Sequence, residues 1–318
     1  MRPRYVNLAV YLHINVDSII SALGQKVVSF CHVQIAPAGN ISKSRLAETD
    51  GDRGVTKQPP SSIQKRDSFS FFSTRIKLPH QEYLCPIMTA QIPLRDVLDA
   101  IGNTPIVELT KVVPANSARV LVKLESLNPT GSYKDRMAKS VIEEAEKRGT
   151  LKPGMTVVEA TGGSTGSALA FICAVKGYNF TVVSSDAYAE EKLKTMAAFG
   201  ADVVIVHSPS GKVTKDLIPA MQAKAAEISK QEGHWNADQF SNPDVLIGYQ
   251  GMGEELLAQV PEGIDAFCGA VGGAGMTMGV ATVLKGEGRQ CHVTLLEPAS
   301  SPAITKGYGG QHSVEGVG

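Results

Sequence analysis

Residues 128–137 read NPTGSYKDRM and place a lysine where a helix is expected to begin. Turn-forming residues come first, Ser132 can cap a helix N-terminus, and the chain after Lys134 has helical spacing. Lys134 would then lie in the first helical turn, where unpaired backbone N–H groups and the helix dipole disfavour a cation. Such a position lowers the pKa of a lysine, which suits a lysine that forms a Schiff base. The alternative is that Lys134 points into water.

Two glycine-rich loops offer places for anions. TGGSTG at 161–166 follows a predicted strand and precedes a predicted helix, and VGGAGM at 271–276 repeats this arrangement. Backbone N–H groups at a helix N-terminus bind anions, and Thr161, Ser164 and Thr165 add hydroxyl donors to the first loop. Tight turns in any α/β protein also use glycine, so a single loop of this kind would be weak evidence for a site.

The two loops do not fit the common nucleotide-binding patterns. Neither reads G-x-G-x-x-G, because Met278 stands at the third glycine position after Gly273 and Gly275, and no Gly-Lys-Ser/Thr sequence closes either loop. Two anion sites and a lysine that is easily deprotonated instead suit a phosphorylated aldehyde cofactor and an amino-acid carboxylate. This combination indicates pyridoxal phosphate chemistry.

The elements that would position these residues alternate along the chain. Short β-rich runs and longer helical runs follow one another after residue 100, which is typical of parallel sheets covered by helices on both faces. The predicted strands are 119–125, 156–160, 180–185, 202–208, 265–271 and 292–298. The predicted helices are 136–149, 166–177, 190–200, 214–233 and 276–288. We therefore predict an α/β fold.

Residues 1–91 differ from the rest of the chain. They include GDRGVTKQPPSSIQKRDSFSFFSTR, in which Gly, Pro, Ser and charged residues follow no lasting period. We expect an irregular extension or a leader here, before a regular region that begins at Ile92. Arg2, Arg4 and the serines make a mitochondrial presequence an alternative to a cytoplasmic location.

Composition argues against several classes of protein. The 318 residues include 31 basic and 31 acidic ones, so a formal net charge of zero gives no electrostatic reason to expect a nucleic-acid or membrane partner. The five cysteines are dispersed and form no C-x-x-C pair, which favours reduced thiols, a cytoplasmic type of compartment and no metal site. Cys173 and Cys268 fall in apolar runs and should belong to the core.

An ordered series of motifs identifies a family. Between residues 92 and 318 the chain contains IGNTPIVEL, VKLESLNPTGSYKDRMA, EATGGSTGSALA, DQFSNP, GAVGGAGMTMGV, LEPASSPAITKG and HSVEGVG. The series resembles the cysteine synthase and cystathionine β-synthase family of pyridoxal-phosphate enzymes, which have fold type II and are tryptophan synthase β-like. The resemblance implies a domain at 92–318 made of two three-layer α/β/α units. The smaller subdomain would be about 128–242, and the larger would join 96–127 to 243–318.

The resemblance also implies roles for the motif residues. Lys134 would hold pyridoxal phosphate as a Schiff base and later remove the α-proton of the substrate. The loop that binds the substrate carboxylate would consist of Thr161, Gly162, Gly163, Ser164 and Thr165. Gln239 would lie near the same carboxylate, and Ser164, where the family usually has asparagine, would contact the phenolic oxygen of the cofactor. The loop that binds the cofactor phosphate would consist of Gly272, Gly273, Ala274, Gly275 and Met276.

The family pattern departs at the C-terminus. Family members continue past GVG and supply there a group that hydrogen-bonds the pyridine nitrogen, so the resemblance implies an apparently truncated larger subdomain. An incomplete chain and a non-catalytic relative that only binds ligands therefore stay open beside an active enzyme.

The function implied by the resemblance is cysteine synthesis. The enzyme would replace the β-substituent of O-acetylserine, or of serine, with sulfide. Cystathionine synthesis, cysteine desulfhydration and serine or threonine deamination use the same cofactor and stay open. Gly162 and Ser164 are the positions where substrate specificity could differ from the family. The resemblance also implies a homodimer that acts on a small amino acid.

Overall fold

Two β-sheets and the helices that cover them organise the chain in the computed structural model, which describes residues 8–11, 94–114, 116–214, 216–310, 312, 314, 316 and 317. The strands of this described part are β1 Leu8–Tyr11, β2 Ile106–Glu108, β3 Val120–Lys123, β4 Thr156–Ala160, β5 Asn179–Ser184, β6 Asp202–Ile205, β7 His234–Asn236, β8 Ala266–Ala270 and β9 His292–Leu296. Its α-helices are α1 Lys134–Arg148, α2 Ser164–Lys176, α3 Glu190–Ala198, α4 Leu217–Ile228, α5 Val245–Gln259, α6 Gly275–Leu284 and α7 Ala303–Lys306. Short 3₁₀ turns occupy Val97–Ala100, Glu125–Leu127 and Gly286–Gly288.

The smaller sheet is parallel and buried on both faces. Its strand order is β6-β5-β4-β7, with Val157 paired to Phe180 across β4 and β5. Successive residues of a strand point to opposite faces. Val157 accordingly packs in the core cluster that contains residues of α1 and α2, and Val158 packs with Met221 of α4. This sheet is therefore the middle layer of a three-layer unit.

The larger sheet has the order β2-β3-β1-β8-β9. Only β2 runs antiparallel among the described strands of this sheet, since it pairs with β3 in the opposite direction. Phe267 of β8 packs into the main core cluster with Leu256 of α5 and Val280 of α6. The next residue, Cys268, packs on the other face with Val120 of β3.

Strand β1 lies in the region that the sequence assigned to an irregular extension or leader. Leu8–Tyr11 pair in parallel with β3 on one side and with β8 on the other, so they occupy the middle of the larger sheet. The prediction of irregular structure is therefore wrong for these four residues. A strand this short carries almost no periodic signal, and its partners are more than a hundred residues away. The rest of 1–91 lies outside the described residues.

Helix α5 packs between α1 and α6 through main-chain contacts. A Cβ atom on Gly248 of α5 would overlap the carbonyl group of Arg136 in α1, with 2.7 Å to the carbonyl carbon. A Cβ atom on Gly279 of α6 would lie 2.9 Å from the carbonyl oxygen of Leu246 in α5. Glycine at these two positions thus allows the three helices to approach more closely than side chains permit.

The α/β prediction is confirmed, together with the six predicted strands and the five predicted helices, whose ends differ by a few residues. Cys173 and Cys268 are buried, as predicted. Cys31 and Cys85 lie outside the described residues. Among the residues that the structure describes, no helix combines the length and the apolar character that a membrane crossing requires. The bounds of the two subdomains stay a prediction.

Candidate active site

A cleft lies between the start of α1 and the N-terminus of α6. It encloses about 370 Å³ of space, part of which is open to solvent. Its lining combines aromatic and apolar side chains with a few polar groups and a stretch of main chain. The lining residues are Tyr133, Lys134, Met137, Gln239, Phe240, Val245, Tyr249, Ala270 and Gly272–Thr277.

Lys134 is the first residue of α1 and lines this cleft. The N-cap residue is Tyr133 and not the predicted Ser132, although Ser132 Oγ accepts a hydrogen bond from the Lys134 backbone N–H at 3.2 Å. The Nζ atom lies 5.2 Å from the centroid of the Tyr133 ring. Burial lowers the pKa of Lys134 to about 8, although the Glu159 carboxylate raises it. Burial therefore makes this amine easier to deprotonate than an exposed lysine.

A buried ionic network fixes the first turn of α1. The Arg136 guanidinium donates to both oxygens of Glu125, at 2.7 and 2.8 Å, and to both oxygens of Glu255, at 2.6 and 2.8 Å. Lys123 Nζ lies 2.7 Å from Glu255 Oε2. Burial alone would raise the pKa of Glu255, but the hydrogen bonds from Arg136 and Lys123 outweigh it and lower this pKa to about 2. The helix that carries Lys134 is thereby tied to β3 and α5.

The loop Gly272–Met276 and the start of α6, here called the anion cradle, line the cleft where the sequence predicted a phosphate site. Ala274 adopts a left-handed conformation with φ of 60°, which is unusual for a residue with a side chain and favours a concave row of N–H groups. The Oγ1 atom of Thr277, in the first turn of α6, is buried and has no hydrogen-bond partner within the described residues. A buried hydroxyl without a partner costs free energy, so an external acceptor at this point would satisfy it.

The first glycine-rich loop contacts one residue that lines the cleft. Thr165 Oγ1, in the first turn of α2, donates to Gln239 Oε1 at 2.7 Å, and Gln239 lines the cleft. These two predicted substrate-binding residues, 74 positions apart, are thus brought together. The other loop residues predicted to bind the substrate lie outside the lining of the cleft; they are Thr161, Gly162, Gly163 and Ser164.

Glu159 of β4 is a buried acid near Lys134 that the sequence did not reveal. It is 2% exposed, and its carboxylate accepts hydrogen bonds from the backbone N–H groups of Ala160, at 3.0 Å, and of Gln239, at 3.1 Å. Burial raises the pKa of Glu159 to about 8. The only signal in the sequence is an acidic residue inside the apolar run TVVEA, directly before the glycine-rich loop.

Comparison with known proteins agrees with this geometry. Residues 97–317 match the family model described as pyridoxal-phosphate dependent enzyme. The chain is 40% identical over 232 residues to the cysteine synthase of Staphylococcus aureus, which covers 72% of this chain and 73% of that protein. It is 36% identical over 223 residues to the O-ureido-L-serine synthase of Streptomyces lavendulae, covering 70% and 67% of the two chains.

A solved structure shows the same fold. O-acetylserine sulfhydrylase isoform 3 of Entamoeba histolytica superposes with a TM-score of 0.66 at 34% identity, covering 72% of this chain and 68% of that one. The two three-layer units predicted from the sequence are therefore those of the fold type II enzymes, which confirms the predicted fold class.

The residues of the cleft fit pyridoxal phosphate. The unpartnered Thr277 hydroxyl and the main chain of Gly272–Met276 suit a phosphate group, and Lys134, with its lowered pKa, suits an aldehyde carbon. The family model that matches residues 97–317, more than half of the chain, also indicates pyridoxal phosphate. This chain belongs to the family of pyridoxal-phosphate-dependent enzymes and uses pyridoxal phosphate as its cofactor.

Proposed function

We propose that this chain is a cysteine synthase, which replaces the acetate of O-acetyl-L-serine with sulfide to give cysteine. The observation that carries the proposal is the cleft in which Lys134, Gln239 and the anion cradle at the start of α6 line one space. Support comes from the cysteine synthase of S. aureus, at 40% identity, and from the O-acetylserine sulfhydrylase fold.

Two anion sites would bind different groups, one the cofactor phosphate and the other the amino-acid carboxylate. The backbone N–H groups of Gly272–Met276 and the Thr277 hydroxyl would hold the cofactor phosphate. The amino-acid carboxylate would bind to the loop Thr161–Thr165 and to Gln239. The hydrogen bond from Thr165 to Gln239 would keep the two parts of this carboxylate site in register. Ser164, the first residue of α2, would donate to the phenolic oxygen of the cofactor.

Lys134 would move the proton. When bound, pyridoxal phosphate supplies an electron sink for the electron pair left at Cα of the amino acid. The neutral Nζ of Lys134 would take the Cα proton, because its pKa of about 8 leaves part of the amine unprotonated near pH 7. Acetate would then leave from Cβ, sulfide would add there, and Lys134 would return the proton to Cα.

A second candidate differs only in the group that is added. Similarity to O-ureido-L-serine synthase, at 36% identity, favours the same binding of the amino acid followed by addition of another nucleophile. Product analysis with sulfide and with alternative nucleophiles, all starting from O-acetyl-L-serine, would separate the two candidates.

The test begins with the purified chain and pyridoxal phosphate. We expect a visible absorbance band, covalent attachment to Lys134 after borohydride reduction and peptide mapping, and release of cysteine and acetate from O-acetyl-L-serine and sulfide. Lys134→Ala should lose the attachment and at least about 10³-fold of the rate. No visible band, or attachment scattered over surface lysines, would refute the proposal.

Assembly and location are part of the proposal. We propose a homodimer in a cytoplasmic compartment, on the strength of the family resemblance and of the dispersed cysteines. Light scattering on the eluted protein and localisation of a tagged full-length chain would test the two statements. A monomeric mass or an organellar signal would contradict them.

A further inference from the structure

The ring of Tyr188 lies directly against Gly162 in the first glycine-rich loop. A Cβ atom on Gly162 would overlap the Cγ, Cδ2 and Cε2 atoms of this ring. Gly162 itself is buried beneath it. Three ring atoms at once would meet the added carbon, so a small tilt of the ring could not make room for it.

The backbone of Gly162 does not call for glycine. Its φ angle lies outside the left-handed region that side chains avoid. The neighbouring Gly163 gives a useful contrast, because a Cβ atom there would meet no atom within 4 Å. Of these two adjacent glycines, only Gly162 is therefore required by close contact, and the contact is with Tyr188.

Tyr188 is held in place from its own side. It follows β5 in a turn where its backbone N–H donates to the Ser185 carbonyl at 3.2 Å, and the Ser185 hydroxyl accepts from the Ala187 N–H at 3.2 Å. Its ring packs on the core cluster that contains Val158 of β4 and Val183 of β5. The atoms nearest to Gly162 include Cγ, which is close to the main chain and cannot swing away as the tip of a long side chain could.

This contact joins the loop to the smaller sheet. We propose that Tyr188 is a positioning residue of the amino-acid site, whose ring holds Gly162 and thereby sets the direction of the N–H groups that receive the α-carboxylate. The inference rests on the proposed function, because it concerns the binding of an amino acid by the loop Thr161–Thr165. The hydroxyl of Tyr188 has no part in it, since the contact is made by ring carbons.

The first test is a series at position 188. The dissociation constant of O-acetyl-L-serine is obtained without sulfide from the rate at which the visible cofactor band shifts as the concentration of O-acetyl-L-serine is raised, because acetate leaves during this half-reaction. Tyr188→Ala should raise it by at least about tenfold while kcat changes less, because the loop loses its support but Lys134 keeps its place. Tyr188→Phe keeps the ring and should bind like the wild-type chain. A Tyr188→Ala variant with unchanged affinity, or a Tyr188→Phe variant as weak as Tyr188→Ala, would overturn the inference.

The second test exchanges bulk between the two positions and needs no cofactor. Gly162→Ala should lower the thermal midpoint of the cofactor-free chain, and the double variant Gly162→Ala/Tyr188→Ala should recover part of that loss, because the added methyl then has space. Gly163→Ala should leave the midpoint close to that of the wild type. Additive effects in the double variant would show that the residues do not act together and would overturn the inference.

The same series separates this inference from the proposed function. A wild-type chain whose cofactor band does not respond to O-acetyl-L-serine would overturn the proposed function and with it the role of Tyr188. A wild-type chain that responds, together with position 188 variants that bind equally well, would overturn the role of Tyr188 alone.

Discussion

Arg136→Met should destabilise the chain far more than the loss of an exposed salt bridge, because it leaves two buried carboxylates without their main partner. Glu125 has a fully buried side chain and Glu255 one that is 18% exposed, and both receive two hydrogen bonds from the guanidinium. Methionine fills a similar volume but donates no hydrogen bond. Glu255 would then keep Lys123, whereas Glu125 would keep only neutral donors, the Thr104 hydroxyl and the Asn128 side-chain amide.

Two considerations give the size of the effect. Removing one partner from a buried ion pair costs about 3–5 kcal/mol. The lowering of the pKa of Glu255 from 4.5 to about 2 corresponds to about 3 kcal/mol of folding stability at neutral pH, which agrees with this range. Because this pKa is lowered in the folded chain, the stabilisation is present above pH 4.5 and is lost as the pH falls towards 2. Most of it should disappear in Arg136→Met.

Urea unfolding of the cofactor-free chain at pH 7 measures the effect. Circular dichroism and the fluorescence of Trp235, the only tryptophan, provide two probes. The matched control is Arg289→Met, since Arg289 pairs with Glu287, whose side chain is 84% exposed, and such pairs contribute below about 1 kcal/mol. If Arg136→Met lowers the free energy of unfolding no more than Arg289→Met does, the network does not stabilise the fold as we argue.

Three further predictions concern single side chains. Burial raises the pKa of Glu159 from 4.5 to about 8, so its contribution to stability is complete below pH 4.5 and is lost as the pH rises through 8. In Glu159→Gln the urea midpoint should therefore depend less on pH over this range. The same pH dependence as in the wild type would contradict the assignment. Thr277→Val should weaken pyridoxal phosphate binding by about tenfold to a hundredfold, yet leave the cofactor-free chain at least as stable, because a buried hydroxyl without a partner is removed. Titration with the cofactor measures the first effect and thermal unfolding measures the second. A variant that binds the cofactor as tightly as the wild type would rule out the contact between Thr277 and the phosphate. Gly248→Ala should destabilise the fold by about 1–3 kcal/mol, because the added methyl overlaps Arg136. Gly251→Ala should stabilise the same helix by about 1 kcal/mol, because its Cβ meets no atom within 4 Å. Thermal midpoints that shift in the same direction in both variants would contradict this packing.

The sequence predicted the elements whose pattern is local. β4, β5 and β8 are apolar runs between turn signals, and α1 carries helical spacing that ends at Gly149. The elements that were not predicted lack such a pattern. β2 and β7 have three residues each, and their strand character depends on pairing with β3 and β4. In such cases tertiary contacts, not local preference, decide the structure.

Helix α5 was missed for a different reason. Its sequence, VLIGYQGMGEELLAQ, contains three glycines, which weaken a helix and make the pattern unconvincing. The structure explains two of them, since Gly248 lies against the main chain of α1 and a Cβ atom on Gly253 would lie 2.7 Å from Cβ of Val283 in α6. The preference for close packing outweighs helix propensity at these positions. No rule that uses sequence neighbours alone contains that information.

The site shows the same division. The sequence placed Lys134 at the start of a helix and attributed its lowered pKa to the helix N-terminus. In the structure, burial is the main cause of the lowered pKa. The contact between Thr165 and Gln239 and the support of Gly162 by Tyr188 join distant parts of the chain. Both depend on the order of strands in the smaller sheet, which one sequence does not reveal.

Helix α5 also sets a spacing. It touches the helix of Lys134 through Gly248 and the helix of the phosphate cradle through the main chain near Gly279. Because main-chain atoms make both contacts, no change of side-chain rotamer can absorb a displacement of α5. A shift of this one helix must therefore move the α1 end and the α6 end of the cleft together, so backbone geometry fixes the distance between Lys134 and the loop at Gly272–Met276. Each of positions 248 and 279 should therefore resist any residue larger than glycine, even though neither lines the cleft.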